Sequence, residues 1–160
     1  MFLFIELSEK GKAQRLIGMY LASDVLTSER IEDLIFQCLH SSEDHSGQDE
    51  LIIGTLGALG KDKRKTIYES LLSKATEEEA LRILILSPYR ASTWELVDQL
   101  SAMAQNRYWM EIVPQYICES PEENNESIRR LLEVGRPRAA FVSLRFELKK
   151  VSPPLLVQML

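Results

Sequence analysis

Residues 76–86 read TEEEALRILIL, a helix start followed by a run that is apolar on nearly every side. Thr76 and Glu79 fit a capping box, in which the threonine oxygen accepts from the backbone three residues on and the glutamate reaches back. A helix that is apolar almost all round is stable only when neighbours cover it on several sides. The segment therefore predicts a core helix surrounded by other helices.

The rest of the chain repeats the same period. Apolar residues recur at the helical spacing i, i+3, i+4, i+7, and no stretch alternates with the period of two that marks a strand. The stripes are Ala13, Leu16, Ile17, Tyr20, Leu21; Ile31, Leu34, Ile35, Cys38, Leu39; Trp94, Val97, Leu100, Met103; Trp109, Ile112, Val113, Tyr116, Ile117; and Ile128, Leu131, Leu132. We predict an all-α fold of about nine or ten helices, with centres near Ile17, Ile35, Thr55, Leu71, Ile83, Gln99, Val113, Leu131, Leu144 and Val157.

The spacing of these centres indicates how the helices are arranged. A helix pair takes roughly 30 to 38 residues, as in helical repeats of the TPR or HEAT type. We therefore predict that residues 1–160 form a single helical-repeat domain, in which antiparallel helical hairpins stack as a short right-handed superhelix. The apolar start at Phe2 and the apolar end from Pro153 predict an excerpt of a longer array, or chain ends that pair with another copy.

Helix ends are marked by capping residues and prolines. Gly135 suits a left-handed residue that closes a helix, and Pro114 predicts a kink or a helix that ends and restarts. Further helix starts are predicted from a second capping box, Ser92 with Glu95, and from the pairs Ser120-Pro121 and Ser152-Pro153.

Composition disfavours chemistry. The 160 residues carry 19 Lys and Arg against 24 Asp and Glu, a net charge of −5, with two His, two Cys and seven Gly. So few His, Cys and Gly residues leave few ways to form a catalytic nucleophile, a metal site or a phosphate-binding loop. We therefore expect no catalytic residue, no cofactor and no metal. Cys38 and Cys118 fall on apolar stripes and are predicted to be buried free thiols, which suits a reducing cytoplasm. The opening run 1–5 is interrupted by Glu6, too early for a signal peptide or a membrane span.

Two apparent motifs have structural explanations. Gly54, Gly57 and Gly60 precede Lys61, but Thr55 and Asp62 break the phosphate-loop pattern. We interpret these glycines as small residues that let a neighbouring helix approach, with Gly60 as a helix stop. Cys38, His40, Asp44 and His45 are residue types that can bind a metal, but they lack the paired spacing of metal ligands. We therefore predict that the two histidines are solvated loop residues.

The basic residues fall into two groups, and the negative net charge argues against a chain-wide basic face. Arg136 and Arg138 flank Pro137 between two helices, where guanidinium groups can bind a carboxylate or phosphate bidentately. The two groups are Lys61, Lys63, Arg64 and Lys65, and Arg136, Arg138, Arg145, Lys149 and Lys150.

Aromatic residues at helical spacing are predicted to be core, above all Trp94 and Trp109. Tyr89 and Tyr108 fall off the main stripes. Because large rings anchor partners at interfaces, Tyr89 and Tyr108 join Arg136 and Arg138 as candidates for binding a partner.

One region resembles a known kind of protein. The run Tyr108-Trp109-Met110-Glu111-Ile112-Val113-Pro114, followed by residues 130–141, RLLEVGRPRAAF, resembles a segment of large uncharacterised bacterial proteins with long helical-repeat regions. The resemblance covers less than half of the chain. It implies an internal piece of a multidomain protein whose catalytic or nucleotide-binding part lies elsewhere, with a role in bacterial defence as one possibility.

These observations favour a non-catalytic interaction or scaffold module that binds a protein or peptide. The alternative is a regulatory helical domain of a nucleotide- or nucleic-acid-handling bacterial protein that uses the local basic groups. A hydrolase built from Asp, Glu and His is the third possibility, and no pair of such residues converges at a readable spacing. Salt-sensitive nucleic-acid binding discriminates the first two.

Overall fold

The computed structural model describes residues 9–41, 45–114, 120–143 and 151–158. These residues form helices joined by turns and short connections, and none of them forms a strand. This confirms the predicted all-α class with about ten helices. None of the helices in the described part is long and apolar enough to span a membrane. The helices are α1 (Glu9–Tyr20), α2 (Ser28–His40), α3 (His45–Ala58), α4 (Lys61–Lys74), α5 (Glu77–Ile85), α6 (Ala91–Val97), α7 (Ala102–Glu111), α8 (Pro121–Glu133), α9 (Pro137–Ser143) and α10 (Pro153–Gln158), with a π-helical turn, Leu21–Val25, after α1.

The chain divides into two compact units, residues 1–88 and residues 89–160. The first holds α1 to α5 and the second holds α6 to α10. Compact units can belong to one cooperative domain, so the single domain over 1–160 stays a prediction.

In the first unit, α1 and α3 pack backbone to backbone. A Cβ on Gly18 would stand 2.3 Å from the carbonyl oxygen of Leu51, and one on Gly54 would stand 2.1 Å from that of Arg15. Both distances are far below van der Waals contact, so only glycine fits at these crossings. The neighbours of α1 residues on α3 ascend with the chain, from Gly47 beside Gln14 to Thr55 beside Gly18, so the two helices run parallel.

The glycine interpretation is therefore confirmed at Gly54 and wrong at two positions. A Cβ on Gly57 or on Gly60 would meet nothing within 4 Å. Gly60 has extended backbone and is the N-cap of α4, so it starts a helix and does not stop one.

The core of the first unit is built by α2 to α5. The capping box at Thr76 is confirmed: its side chain accepts from the backbone of Glu79, and the Glu79 carboxylate accepts from the Thr76 N–H at 2.7 Å. Cys38 is a buried free thiol, as predicted; Cys118 lies outside the described residues. Fully buried side chains include Ile31, Ile35, Ile52, Leu56, Leu59, Ile67, Leu71, Leu81, Ile83 and Leu84.

The helix ends of the second unit are set by local chemistry. Ser120 caps α8 ahead of Pro121, and α10 begins at Pro153, as the sequence predicted. Gly135 has φ +73, and the bonds from Gly135 N to Leu132 O and from Arg136 N to Leu131 O form a Schellman motif. α7 ends at Glu111, ahead of Pro114, which confirms the predicted helix end.

Three helix predictions in this unit are wrong. The stripe centred near Gln99 is broken: α6 ends at Val97, and the Ser101 side chain starts α7 by accepting from Ala104 N. The predicted centre near Val113 also lies outside a helix, because α7 already ends at Glu111. The capping box at Ser92 is also absent, because α6 already begins at Ala91 with Arg90 as its N-cap.

Candidate functional site

Three aromatic rings of the second unit pack around the ring of Trp109. Its ring centroid lies 6.3 Å from Tyr89, 5.6 Å from Trp94 and 5.2 Å from Tyr108, and Tyr89 and Trp94 are 5.1 Å apart. The Tyr89 and Tyr108 rings meet Trp109 in edge-to-face geometry, the arrangement that the ring quadrupole favours. Trp94 and Trp109 are buried, which confirms them as core residues.

Tyr89 and Tyr108 do not form the exposed anchors that the sequence predicted. Tyr89 is 6% exposed and Tyr108 is 0% exposed, because both rings complete the cluster around Trp109. The Tyr89 hydroxyl forms a hydrogen bond with the buried Ser127 hydroxyl on α8. Burial raises the pKa of Tyr89 to about 12, so this hydroxyl stays protonated at neutral pH.

The two candidate arginines have different environments. Arg136 directs Nη1 to the carbonyl oxygens of Trp109 at 2.7 Å and Ile112 at 2.8 Å, where α7 ends. A cation at this position satisfies carbonyls that lack a helical partner. Arg138 is exposed and forms no ion pair with the described residues. Arg136 is thus already bound to the backbone, so Arg136 and Arg138 do not form a pair of guanidinium groups free to clamp an anion.

A polar cleft of about 320 Å³ lies beside Trp109. Arg130 lies with its guanidinium carbon 5.4 Å from the centroid of the Trp109 ring and holds the two Asp98 oxygens at 2.5 and 2.8 Å. The Asp98 hydrogen bonds raise the pKa of Arg130. The cleft is lined by Asp98, Gln105, Asn106, Trp109, Arg129, Arg130, Glu133 and Val134.

The second arginine of the cleft is paired as well. Arg129 bonds Glu126 at 2.6 Å and also Glu133, and Arg129 holds the pKa of Glu126 below its ordinary value. Each guanidinium of the cleft already faces carboxylates, so an entering phosphate would have to displace them. The geometry is therefore that of a salt-bridge network linking Asp98, just after α6, to α8, and not that of an anion-binding site.

Some of the basic side chains at the start of α4 already form local contacts. Arg64 donates to the carbonyl of Leu59 at 2.6 Å, and Lys65 lies 3.9 Å from Glu69. Lys63 is exposed. Arg145, Lys149 and Lys150 of the other basic group lie outside the described residues.

The predicted loop histidines are only partly described. His40 is the last residue of α2, and its Nε2 lies 2.5 Å from the carboxylate of Glu79. His40 and the Thr76 cap together lower the pKa of Glu79 to about 2. His40 is therefore exposed, as predicted, but it ends a helix and contacts the Glu79 carboxylate instead of lying in a loop. Asp44 and the side chain of His45 lie outside the described part, and no metal-ligating group of three or more residues occurs within that part.

The exposed apolar surface that sequence analysis did not identify lies on α1. The apolar stripe of an amphipathic helix ordinarily faces the core, yet Leu16 is 64% exposed, Ile17 52% and Tyr20 69%. All large apolar side chains exposed in the described part of residues 1–88 lie in α1 and the turn after it: Leu16, Ile17, Met19, Tyr20 and Val25.

The glycine face of α1 explains this exposure. At about 100° per residue, Gly18 points away from Leu16, Ile17 and Tyr20. Because Gly18 is held against α3, these apolar side chains are turned outward. A sequence signal for this packing exists in the seven-residue spacing of Gly11 and Gly18, matched on α3 by Gly47 and Gly54.

Comparisons of the chain with protein-family models, curated proteins and solved structures found no match. The resemblance to helical-repeat segments of large bacterial proteins therefore stays a prediction.

Proposed function

We propose that the chain is a non-catalytic helical module that binds a protein through the α1 stripe, defined as Ala13, Leu16, Ile17 and Tyr20. The exposure of Leu16, Ile17 and Tyr20 is the observation that carries the proposal. Contiguous apolar side chains on a folded surface are typical of interaction sites.

The packing of α1 supports this reading. Rotating the helix to bury the stripe would break the close contacts of Gly18 with the α3 backbone and of Gly54 with the backbone of Arg15 on α1. Arg15 adds a further restraint, because its Nε lies 2.7 Å from Glu50 on α3. The stripe is thus presented by a helix that is fixed in orientation, which lowers the conformational entropy lost on binding.

Three finer expectations belong to the same proposal. The stacking of hairpins into a right-handed solenoid is supported by ten short helices with short connections in the described residues. A cytoplasmic location is supported by the free thiol of Cys38, which suits a reducing compartment. Pairing through the apolar chain ends rests on Phe2, outside the described residues, and on Val157, which is 73% exposed.

The test compares three baits in one lysate with quantitative readout: the native chain, Ile17→Glu, and Met103→Glu as a matched control. Met103 is 70% exposed on α7, so the control also introduces a surface charge in place of an exposed apolar side chain. Proteins retained by the native chain and the control but lost from Ile17→Glu support the proposal. Equal retention by all three baits contradicts it.

The nucleic-acid alternative has a separate test. Binding to single-stranded and duplex nucleic acid is measured at two salt concentrations, because phosphate contacts weaken steeply with salt. We expect no salt-sensitive binding, since Arg64 and Arg136 already donate to backbone carbonyls. Salt-sensitive binding would favour the regulatory domain.

A further inference from the structure

The helix α1 is held against α3 without placing a large side chain in the core. Of residues 10–20, only Gly11 and Gly18 are buried. By contrast, α2, α4 and α5 each place at least two fully buried apolar side chains in the core of the first unit. Because the free energy gained from burial grows with the apolar area removed from water, α1 gains less from packing than these helices do.

The contacts that do hold α1 are short-range or exposed. The close approach at Gly18 and Gly54 is stabilised by dispersion, which weakens steeply as soon as a gap opens between the atoms. Arg15 pairs with Glu50 on α3, but the Arg15 side chain is 40% exposed, and solvent-exposed ion pairs contribute little to stability. These contacts are therefore lost together when α1 moves away from α3.

A separated α1 does not remain helical. An isolated helix of 12 residues is marginal in water, and Gly11 and Gly18 are poor helix formers. Undocking therefore also releases backbone conformational entropy. It disassembles the α1 stripe as well, because the stripe residues share one face only while α1 is a helix.

The π-helical turn Leu21–Val25 provides a hinge at the end of α1. The Leu26 N–H donates to the Leu21 carbonyl at 3.0 Å, in the wider hydrogen-bond spacing of a π-helix. Ala22 within this turn is 1% exposed. The turn is thus anchored in the core, and the boundary between strongly and weakly held backbone lies at the end of α1.

We propose that α1 is a conformational switch: residues 9–20 undock from α3 and melt as one unit about the turn Leu21–Val25, while α2 to α5 stay folded. Local openings of this kind involve the elements with the fewest buried apolar contacts. While α1 is docked, the glycines fix its orientation and the stripe is presented. The undocking needs no partner, and only its effect on binding rests on the proposed function.

Hydrogen exchange of the native chain, followed residue by residue by NMR, tests the switch. The hydrogen-bonded amides of α1, residues 13–20, should share one protection factor and exchange at least about tenfold faster than those of α5. Because undocking exposes little surface, low urea concentrations should accelerate α5 more than α1. A smaller difference between the helices, an equal urea dependence, or a gradient of protection along α1 would overturn the proposal.

A core variant separates undocking from global unfolding. Ile83 on α5 is fully buried, so Ile83→Val destabilises the docked and the undocked states alike. The substitution should therefore accelerate exchange in α5 several-fold and leave the exchange of α1 unchanged. Equal acceleration in both helices would show that α1 opens only when the whole unit unfolds.

Gly18→Leu should drive the switch to its open state. The Cβ alone would stand 2.3 Å from the Leu51 carbonyl oxygen, so residues 13–20 should lose protection while α5 still exchanges slowly. Gly57→Leu is the matched control and should keep α1 protected, because a Cβ on Gly57 meets nothing within 4 Å. Loss of protection in α5 together with α1 in Gly18→Leu, or protection of α1 that survives the substitution, would contradict the switch.

Discussion

Gly18 of α1 lies so close to Leu51 of α3 that a Cβ built on it would stand 2.3 Å from the Leu51 carbonyl oxygen. This contact decides which face of α1 is buried. The helix places Gly18 against α3 and turns Leu16 and Tyr20 outward, and Ala22 in the π-helical turn that follows is also buried. The surface proposed for binding is therefore a consequence of glycine packing.

Gly18→Ala should destabilise the protein, although alanine is the better helix former by about 1 kcal/mol. The new methyl group would meet backbone atoms of Leu51 and Thr55 that cannot move aside cheaply. We expect a net loss of roughly 1–3 kcal/mol in the free energy of unfolding, measured by urea denaturation. Gly57→Ala is the matched control, because its Cβ would meet nothing within 4 Å. The control should be neutral or stabilising, and an equal loss in both variants would contradict the close packing.

The sequence alone was enough to predict helix ends, because these depend on residues close together in the chain. Thr76, Ser120 and Gly135 mark helix ends because their own side chain or backbone conformation satisfies the helix terminus. The buried face of α1 and the burial of Tyr108 depend instead on distant residues. Periodicity finds an apolar face, but it does not say whether glycines on the opposite face will pack more closely.

The arginines on either side of Pro137 should differ in their effect on stability. Arg136→Met removes two hydrogen bonds from a charged donor to the carbonyls of Trp109 and Ile112. We expect the free energy of unfolding to fall by about 2 kcal/mol. Arg138→Met alters an exposed side chain, and its effect should stay within about 0.5 kcal/mol. Thermal unfolding of both variants checks this, and equal effects would show that the Arg136 contacts contribute nothing.

Acid should weaken the protein in part through Glu79. Its pKa falls from an ordinary 4.5 to about 2 in the folded state, first through the hydrogen bond with His40 and then through Thr76. A lowered folded pKa stabilises the native state above the unfolded pKa, and this stabilisation is lost as pH falls from about 4.5 to about 2. Glu79→Gln keeps a side chain suited to the capping box but does not titrate.

Stability measured at intervals between pH 7 and pH 2 should therefore fall more steeply for the native chain than for Glu79→Gln. The difference between the two should shrink toward the acid end. Glu95→Gln, which changes an exposed carboxylate on α6, should follow the native curve. Parallel curves for the native chain and Glu79→Gln would refute the stabilisation of the Glu79 carboxylate by His40 and Thr76.

Tyr89 and Ser127 should behave as a coupled pair. Their hydroxyls form a buried hydrogen bond that links Tyr89, just before α6, to Ser127 on α8. Ser127 is 0% exposed. Tyr89→Phe and Ser127→Ala each leave the other hydroxyl buried without this partner, so each should lower the free energy of unfolding by about 1–2 kcal/mol. The double variant should cost less than the sum of the two, because removing both hydroxyls leaves neither unsatisfied; a coupling of about 1 kcal/mol is expected. Urea unfolding of the four proteins in the cycle measures this coupling. Strict additivity would show that the two hydroxyls do not stabilise each other.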